Sequence, residues 1–222
     1  MKVEYIYHSG FTIETENYFL VFDYYKGDIE LSNKKTIVFS THGHSDHFNP
    51  TILSWLGKNP HILYVFSSDI KTEPSNNIYF MDPDESLELY NIEIKSFGST
   101  DLGLSLLIKA DGKTIFYSGD LNWWYWDDDS EEEKLSMEKD FKDEIKKIRG
   151  NDIDLAFFPV DPRLEDNFHL GGEYLINTLK PKTFIPMHFG DNYEATASFI
   201  HKINDPTINI VEIHKRNEVL KI

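Results

Sequence analysis

The sequence contains no cysteine, and none of its apolar runs is long enough to cross a membrane. The absence of cysteine excludes disulfides and thiolate metal sites. A membrane-spanning helix needs ~20 predominantly apolar residues, and no stretch of this chain approaches that length. The N-terminal segment also lacks the basic start and apolar core of a secretory signal. These absences predict a soluble, cytoplasmic protein.

Basic residues are scarce as well. Lysine and arginine together number 22 against 38 acidic residues, which gives a formal net charge of −16. Such a field repels polyanions unless a local basic groove overrides it, so we expect no nucleic-acid partner. Without an apolar run of spanning length, we expect no membrane partner either. Hydrophobic residues make up 40% of the chain and aromatic residues 14%, enough for a substantial core. No linker rich in Pro, Gly or Ser interrupts the chain, which predicts a single domain over residues 1–222.

Alternating and apolar runs predict two groups of strands with helices between them. Strands are expected at 2–7, 11–15, 18–22, 36–40, 62–66, 77–81 and 92–97, in a hairpin over 104–118, at 153–160 and 183–189, and as two terminal strands. Helices are expected after Asn49-Pro50, within 127–149, at 171–180 and at 193–203. The second helix carries a Ser130/Glu133 capping box. This order favours an α/β (α+β) fold with two sheets packed face to face and helices outside.

The loop THGHSDHFNP, residues 41–50, is the most informative segment of the chain. Three of the nine histidines, His42, His44 and His47, lie within it, together with Asp46. His42 and His44 are two residues apart, so in extended backbone both side chains point to the same side. Asp46 and His47 follow as the chain turns into a helix and can face a second point, which suggests two metals roughly 3.5–4 Å apart. The alternative is that these residues only form turn and cap hydrogen bonds.

Two later segments supply candidate ligands at strand ends. Asp120 follows a hairpin strand in FYSGD, and His188 ends an apolar strand in IPMHFG. Taken alone, a strand-terminal Asp is usually a turn residue, and a lone His is usually a satisfied polar group. In combination with the preceding loop, however, both are typical of a metal site with nitrogen and carboxylate ligands, which suit Zn²⁺, Fe²⁺ or Mn²⁺.

The set THGHSDH, SGD and PMHFG, together with the N-terminal YHSGFTIET and the following FD, resembles the metallo-β-lactamase superfamily of metal-dependent hydrolases. The chain length and the IPMHFG ending are similar to the branch that includes L-ascorbate-6-phosphate lactonase. The resemblance implies a four-layer αβ/βα sandwich of the metallo-β-lactamase type with the site at one edge. It also implies the ligand roles: the first metal held by His42 and His44, the second by Asp46, His47 and His188, and both bridged by Asp120.

The chain departs from this family pattern at one position. The superfamily normally supplies a further histidine to the first metal, but the matching segment here reads KSFGSTDLGLSLLI. Ser99, Thr100 or Asp101 stands where that histidine is expected. We favour Asp101, because a carboxylate is the only strong ligand among the three. The first site is therefore expected to bind its metal more weakly than the second.

The expected activity is hydrolysis by a metal-bound hydroxide of an ester, lactone or phosphoester bond in a small anionic metabolite. Asp46 and Asp120 would be the catalytic carboxylates that orient the nucleophile and accept its proton. The missing histidine motivates the alternative, a catalytically weak metal-binding protein that binds or senses a ligand.

Substrate contacts are expected from two residues beyond the ligands. Arg163, one of three arginines, could clamp a carboxylate or phosphate, or could instead form a salt bridge with a neighbouring acidic residue. Trp123 begins the run WWYW, whose adjacent side chains cannot all face one way. Some could wall the pocket, while core packing is expected for at least two of them.

Overall fold

The computed structural model describes residues 1–220 and 222, and two mixed β-sheets dominate this part of the chain. Its strands, β1 to β14 in chain order, are Lys2–Tyr7, Gly10–Glu14, Tyr18–Phe22, Lys35–Ser40, Leu63–Ser67, Ile78–Met81, Ser86–Leu89, Ile92–Phe97, Ser105–Ala110, Lys113–Tyr117, Leu155–Pro159, Thr183–Met187, Asn209–Ile210 and Glu218–Leu220. The helices α1 to α3 are Glu131–Lys147, Leu170–Leu179 and Glu194–Ile203, and two 3₁₀ helices cover Pro50–Gly57 and Pro162–Asn167.

The two sheets have matching designs. The first has the order β14-β1-β2-β3-β4-β5-β6, and the second the order β13-β12-β11-β10-β9-β8-β7. In the first sheet β3, β4, β5 and β6 are parallel, and in the second β10, β11, β12 and β13 are parallel; the other pairs are antiparallel. Because the terminal strand β14 returns to pair with β1, the C-terminal part of the chain completes the first sheet.

The hydrophobic core lies between the sheets and under the helices. Aromatic rings join the two inner faces: Phe22 of β3 stacks on Tyr117 of β10 with ring centroids 4.6 Å apart. Outside the second sheet, Phe199 of α3 stacks on Phe184 of β12 at 4.9 Å. Outside the first sheet, the 3₁₀ helix Pro50–Gly57 covers a smaller cluster through Ile52 and Trp55. This layering confirms the predicted sandwich of two sheets with flanking helices.

Helix α1 has the predicted start signal and lies within the segment predicted to contain it. Ser130 is the N-cap, and the reciprocal bonds with Glu133 form the expected capping box. The helix therefore begins at Glu131 and ends at Lys147, within the predicted range 127–149. Its acidic first turn and basic last turn complement the helix dipole. The segment before Ser130 is not helical because the cap defines the helix start.

Three other elements differ from the sequence prediction. Strand β7 was not predicted, because a four-residue edge strand with only one buried residue has little hydrophobic signal. The 3₁₀ helix Pro162–Asn167 was also missed, and it is interrupted at Glu165, whose φ is +50°. The helix after Asn49 was predicted without a helix type, and the structure shows it to be 3₁₀; Asn49 caps it as expected through its side chain and the Thr51 N–H.

Among the described residues, every helix is too short or too polar to cross a membrane.

Candidate metal centre

The candidate ligands lie at the carboxyl ends of parallel strands. The loop 41–50 follows β4, Asp120 follows β10, and His188 follows β12. Because the two sheets face each other, these ends meet at one edge of the sandwich, the position where ligands bind in open α/β sheets. Local structure fixes the loop further, since the backbone N–H of His47 donates to the carbonyl of His44 at 3.0 Å.

The potential ligand atoms form two groups, in each of which all atoms lie within 4.8 Å of one another. The first cluster consists of His42, His44 and Asp120. The second cluster consists of His8, Asp46, His47 and His188. His42 and His44 lie in the first cluster, and Asp46, His47 and His188 lie in the second, as the family resemblance implies; Asp120, for which it implies a bridge, is grouped with the first. His8 was not predicted.

Asp120 lies between the two clusters and presents one oxygen to each. Its Oδ2 is 3.5 Å from His42 Nε2, whereas its Oδ1 is 3.2 Å from His47 Nε2 and 3.5 Å from His188 Nε2. Its side chain is only 5% exposed. A carboxylate in this arrangement can bridge two cations.

Unpaired buried atoms test whether a metal fits. His42 Nε2, His47 Nε2 and Asp120 Oδ1 are buried without a hydrogen-bond partner. Such atoms are costly unless something binds them. The distances of 3.5 Å from His42 Nε2 to Asp120 Oδ2 and 3.2 Å from His47 Nε2 to Asp120 Oδ1 exceed the usual hydrogen-bond length of about 2.9 Å. They match the roughly 3.4 Å expected between two ligands of a tetrahedral ion at 2.0–2.1 Å. The donor set fits divalent metals.

Asp23, which follows β3, orients the histidines of both clusters. Its buried carboxylate accepts from His47 Nδ1 at 2.8 Å and from the Thr41 hydroxyl at 2.7 Å. The Thr41 oxygen in turn lies 3.2 Å from His42 Nδ1. With the Nδ1 atoms protonated, the Nε2 lone pairs of His42 and His47 face the centre, as metal ligation requires.

Asp161, which follows β11, performs the same role for His188. Its Oδ2 lies 2.9 Å from His188 Nδ1. The same carboxylate accepts bonds from Arg163 Nε at 2.9 Å and Nη2 at 2.5 Å. The salt bridge considered as the alternative role of Arg163 is therefore present, and it connects this arginine to a candidate ligand through one carboxylate.

Electrostatics at the centre favour a cation. Burial alone would raise the pKa of Asp120, but the positive charge of His47 and His188 holds it well below its usual range. Burial alone would lower the pKa of His188, yet Asp120 and Asp161 raise it to about 10. In the metal-free chain, the proton held by His188 therefore offsets the charge of these carboxylates, and a metal would replace it.

A pocket of about 400 Å³ opens over the centre. Its walls include Trp124, Trp126 and Arg163, and His188 and the two catalytic candidates Asp46 and Asp120 also line it. Trp124 is fixed by a bond from its Nε1 to the Asp120 carbonyl at 3.0 Å, and its ring is nearly parallel to that of Trp126.

Trp123 has a different position from the one expected. Its ring packs against Phe141 of α1 at 6.2 Å, and the Lys142 ammonium lies 4.5 Å from its centroid. The indoles that line the pocket are instead Trp124 and Trp126. The run WWYW gave no way to choose among them, because its packing depends on α1.

The segment proposed to replace the missing histidine borders the pocket. Thr100 and Asp101 line it. The Thr100 hydroxyl is engaged with the backbone of Asn122, donating to its carbonyl at 2.6 Å and accepting from its N–H at 3.0 Å. The Ser99 hydroxyl accepts from the Asp101 N–H at 3.3 Å. Asp101 is exposed and lies outside the first cluster, so its role as a ligand stays a prediction.

Comparisons with known proteins agree with this geometry. The model of the Beta-lactamase superfamily domain matches residues 2–188. The chain is 25% identical over 219 residues to the UPF0173 metal-dependent hydrolase YtkL of Bacillus subtilis, covering 85% of this chain and 86% of that protein. It is 28% identical to a metal-dependent hydrolase of Pelotomaculum thermopropionicum over 214 residues, covering 85% and 84%. These names agree with the enzyme class that the sequence predicts.

Solved structures show the same fold. The metallo-beta-lactamase fold protein YhfI of Bacillus subtilis superposes with a TM-score of 0.63 at 15% identity, covering 98% of both chains. The match to a narrower lactonase branch is not among these findings and stays a prediction. From the family model, the paired sheets and the two ligand clusters, the chain belongs to the metallo-β-lactamase superfamily.

Proposed function

We propose that this protein is a two-metal hydrolase that cleaves an ester, lactone or phosphoester bond in a small anionic metabolite. One observation carries the proposal: buried, unpaired Nε2 atoms of His42 and His47 face opposite oxygens of Asp120 beneath an open pocket. Imidazole and carboxylate donors suit zinc, manganese or iron. Metals bound there would supply Lewis acidity and lower the pKa of water.

Two carboxylates are proposed to act on the reacting groups. Asp46 is 40% exposed at its side chain and lines the pocket, so it can hold a water or a substrate hydroxyl by hydrogen bonding. The imidazole of His8, whose Nε2 lies 3.4 Å away, holds the pKa of Asp46 well below its usual range, so Asp46 is ionised and accepts rather than donates at neutral pH. Asp120 is buried and fixed between the clusters, which suits a bridging role.

The substrate is proposed to be small and anionic. The pocket volume admits a metabolite, and Arg163 is the basic residue of its wall. Asp161 engages Nε and Nη2 of that guanidinium, while the side chain remains 64% exposed. The exposed part can pair with a carboxylate or phosphate. A phosphorylated sugar lactone, of the kind that L-ascorbate-6-phosphate lactonase cleaves, meets these requirements, in a cytoplasmic setting without nucleic acid or membrane.

Metal removal and ligand variants test the proposed function. His47→Ala and His188→Ala should each lose the metal of the second site and all turnover of generic phosphodiester, lactone and ester substrates. The triple variant Asp127→Asn, Asp128→Asn, Asp129→Asn is a matched control, because these residues directly follow Trp126 of the pocket wall in the sequence. It should keep the metal content of the parent. Near-normal metal content of both His variants by elemental analysis would refute the assignment.

Arginine exchange tests the substrate class. Arg163→Lys keeps the charge but loses the planar fork, so KM for an anionic substrate should rise by about tenfold or more, with little change for a neutral ester. Arg216→Lys, which alters a surface pair with Asp191, is the control. An equal effect on charged and neutral substrates would exclude the anion contact.

A catalytically weak metal-binding protein is the second candidate. It is favoured by the lack of an imidazole at residues 99–101. Two metals per chain with turnover abolished by EDTA would exclude it, whereas metal binding without turnover would favour it.

A further inference from the structure

His8 lies at the metal centre, but the family resemblance described above assigns no role to it. It lies in the turn between β1 and β2, and its ring is 4.0 Å from that of His188. Its Nε2 is 3.4 Å from Asp46 Oδ2. That nitrogen is buried and lacks a hydrogen-bond partner, as do His42 Nε2 and His47 Nε2.

The backbone at His8 is held by the site itself. Its φ is +58°, in the left-handed region, and His188 also has a positive φ of +66°. The His8 carbonyl accepts from the His188 N–H at 3.0 Å, and its own N–H donates to the Tyr5 hydroxyl at 2.8 Å. Glycine or asparagine would serve such a turn at lower cost. Strain of this kind clusters at functional sites, and the turn alone does not explain why the His8 Nε2 is buried without a hydrogen-bond partner.

We propose that His8 is a protein ligand of the second metal through its Nε2. This inference rests on the proposed function. The 3.4 Å between His8 Nε2 and Asp46 Oδ2 falls within the 3.2–3.5 Å that separates Asp120 from the expected histidine ligands. A histidine that only held Asp46 by a charge-assisted bond would approach to about 2.7–2.9 Å.

This ligand makes the centre asymmetric. The second cluster then offers four groups, and the first offers three including the bridging Asp120. An additional imidazole at the second site and a missing one at the first both increase the difference in affinity. The chain should therefore retain one metal firmly under chelation that removes the other.

The test is a metal titration of the stripped protein with His8→Asn. Asparagine tolerates the left-handed backbone, so the turn is kept. His44→Ala weakens the first site and serves as the background in which the second site is measured. Zn²⁺ affinity is measured by calorimetry and the coordination sphere by the visible spectrum of the Co²⁺ form. His201→Asn, on the exposed side of α3, is the control, and melting temperatures of the metal-free variants report folding.

Loss of a ligand should weaken Zn²⁺ binding by more than about 100-fold, because outer partners of ligands account for 10–100-fold. The Co²⁺ spectrum of His8→Asn should change, and that of His201→Asn should not. An unchanged spectrum, with or without a smaller loss of affinity, would overturn ligation by His8. A parent protein that binds no metal would refute the proposed function as well, whereas normal parent binding with an unaffected His8→Asn would refute this proposal alone.

Discussion

Asp23→Asn should impair the centre without touching a ligand atom. The Oδ1 of Asp23 accepts from the Thr41 N–H at 2.8 Å, and Oδ2 accepts from the Thr41 hydroxyl and His47 Nδ1. An amide has one acceptor oxygen and one NH₂ donor. If the NH₂ group replaces Oδ1, it faces the Thr41 N–H, and two donors oppose each other. If the NH₂ group replaces Oδ2, it donates to His47 Nδ1. The imidazole proton then moves to Nε2, where it blocks metal binding.

The expected magnitude follows from these contacts. Partners that orient metal-ligating histidines are typically worth 10–100-fold in affinity, or about 1.4–2.7 kcal/mol. Hydrogen bonds to charged groups contribute about 1.5–3 kcal/mol each to stability, so the metal-free variant should also unfold more readily. Backbone strain does not add to this cost, because the φ of Asp23 is +41° and asparagine tolerates that region.

Metal affinity is measured by competition with a chromophoric chelator, and folding by thermal melting of the metal-free protein. Asp154→Asn is the matched control, since Asp154 also accepts a backbone N–H, from Thr114 at 2.9 Å, but lies away from the centre. It should lower stability and leave metal affinity unchanged. A folded Asp23→Asn protein that binds Zn²⁺ within twofold of the parent would refute the orientation argument.

Three further variants or conditions test neighbouring parts of the centre. Gly103→Ala should destabilise the protein by roughly 2–5 kcal/mol, because its φ is +79° and a Cβ would lie 2.0 Å from the Thr41 carbonyl; a melting temperature equal to that of the parent would contradict this. Asp101→Ala should weaken only the first metal if Asp101 is its ligand, and two equal, tight sites that ignore the substitution would exclude that role. Metal binding at pH 7 should release protons, because Asp120 and Asp161 raise the pKa of His188 to about 10 in the metal-free chain and ligation needs the neutral ring. Metal affinity should therefore increase with pH. Calorimetry in buffers of different ionisation enthalpy measures the protons released, and a binding enthalpy that does not depend on the buffer would contradict this prediction.

Local sequence signals predicted many of the strands, turns and helix ends of the fold. Runs such as TIVFS and LAFFP coincide with buried strands β4 and β11, and Ser130 and Glu133 form the predicted capping box. The turn Asp111-Gly112 joins β9 and β10 with both residues at positive φ, as such hairpins require. These features depend on neighbours in the chain, so periodicity and turn chemistry are sufficient to find them.

The sequence by itself predicted most of the candidate ligands, because His42, His44, Asp46 and His47 occur within one loop and Asp120 follows a hairpin strand. It could not reveal His8, a lone histidine between two strands whose meaning depends on His188, 180 positions later. The same holds for Asp23 and Asp161, which are ordinary strand-end acids until the sheets face each other.

Only the tertiary structure decided which of Trp123, Trp124 and Trp126 meets the pocket. Packing against α1 turns Trp123 away, while Trp124 and Trp126 line the wall. Residues far apart in sequence contribute to one centre because parallel strands of both sheets end at the same edge. Sequence spacing therefore fixes the chemistry within each loop, and the packing of the sheets fixes which loops share a metal site.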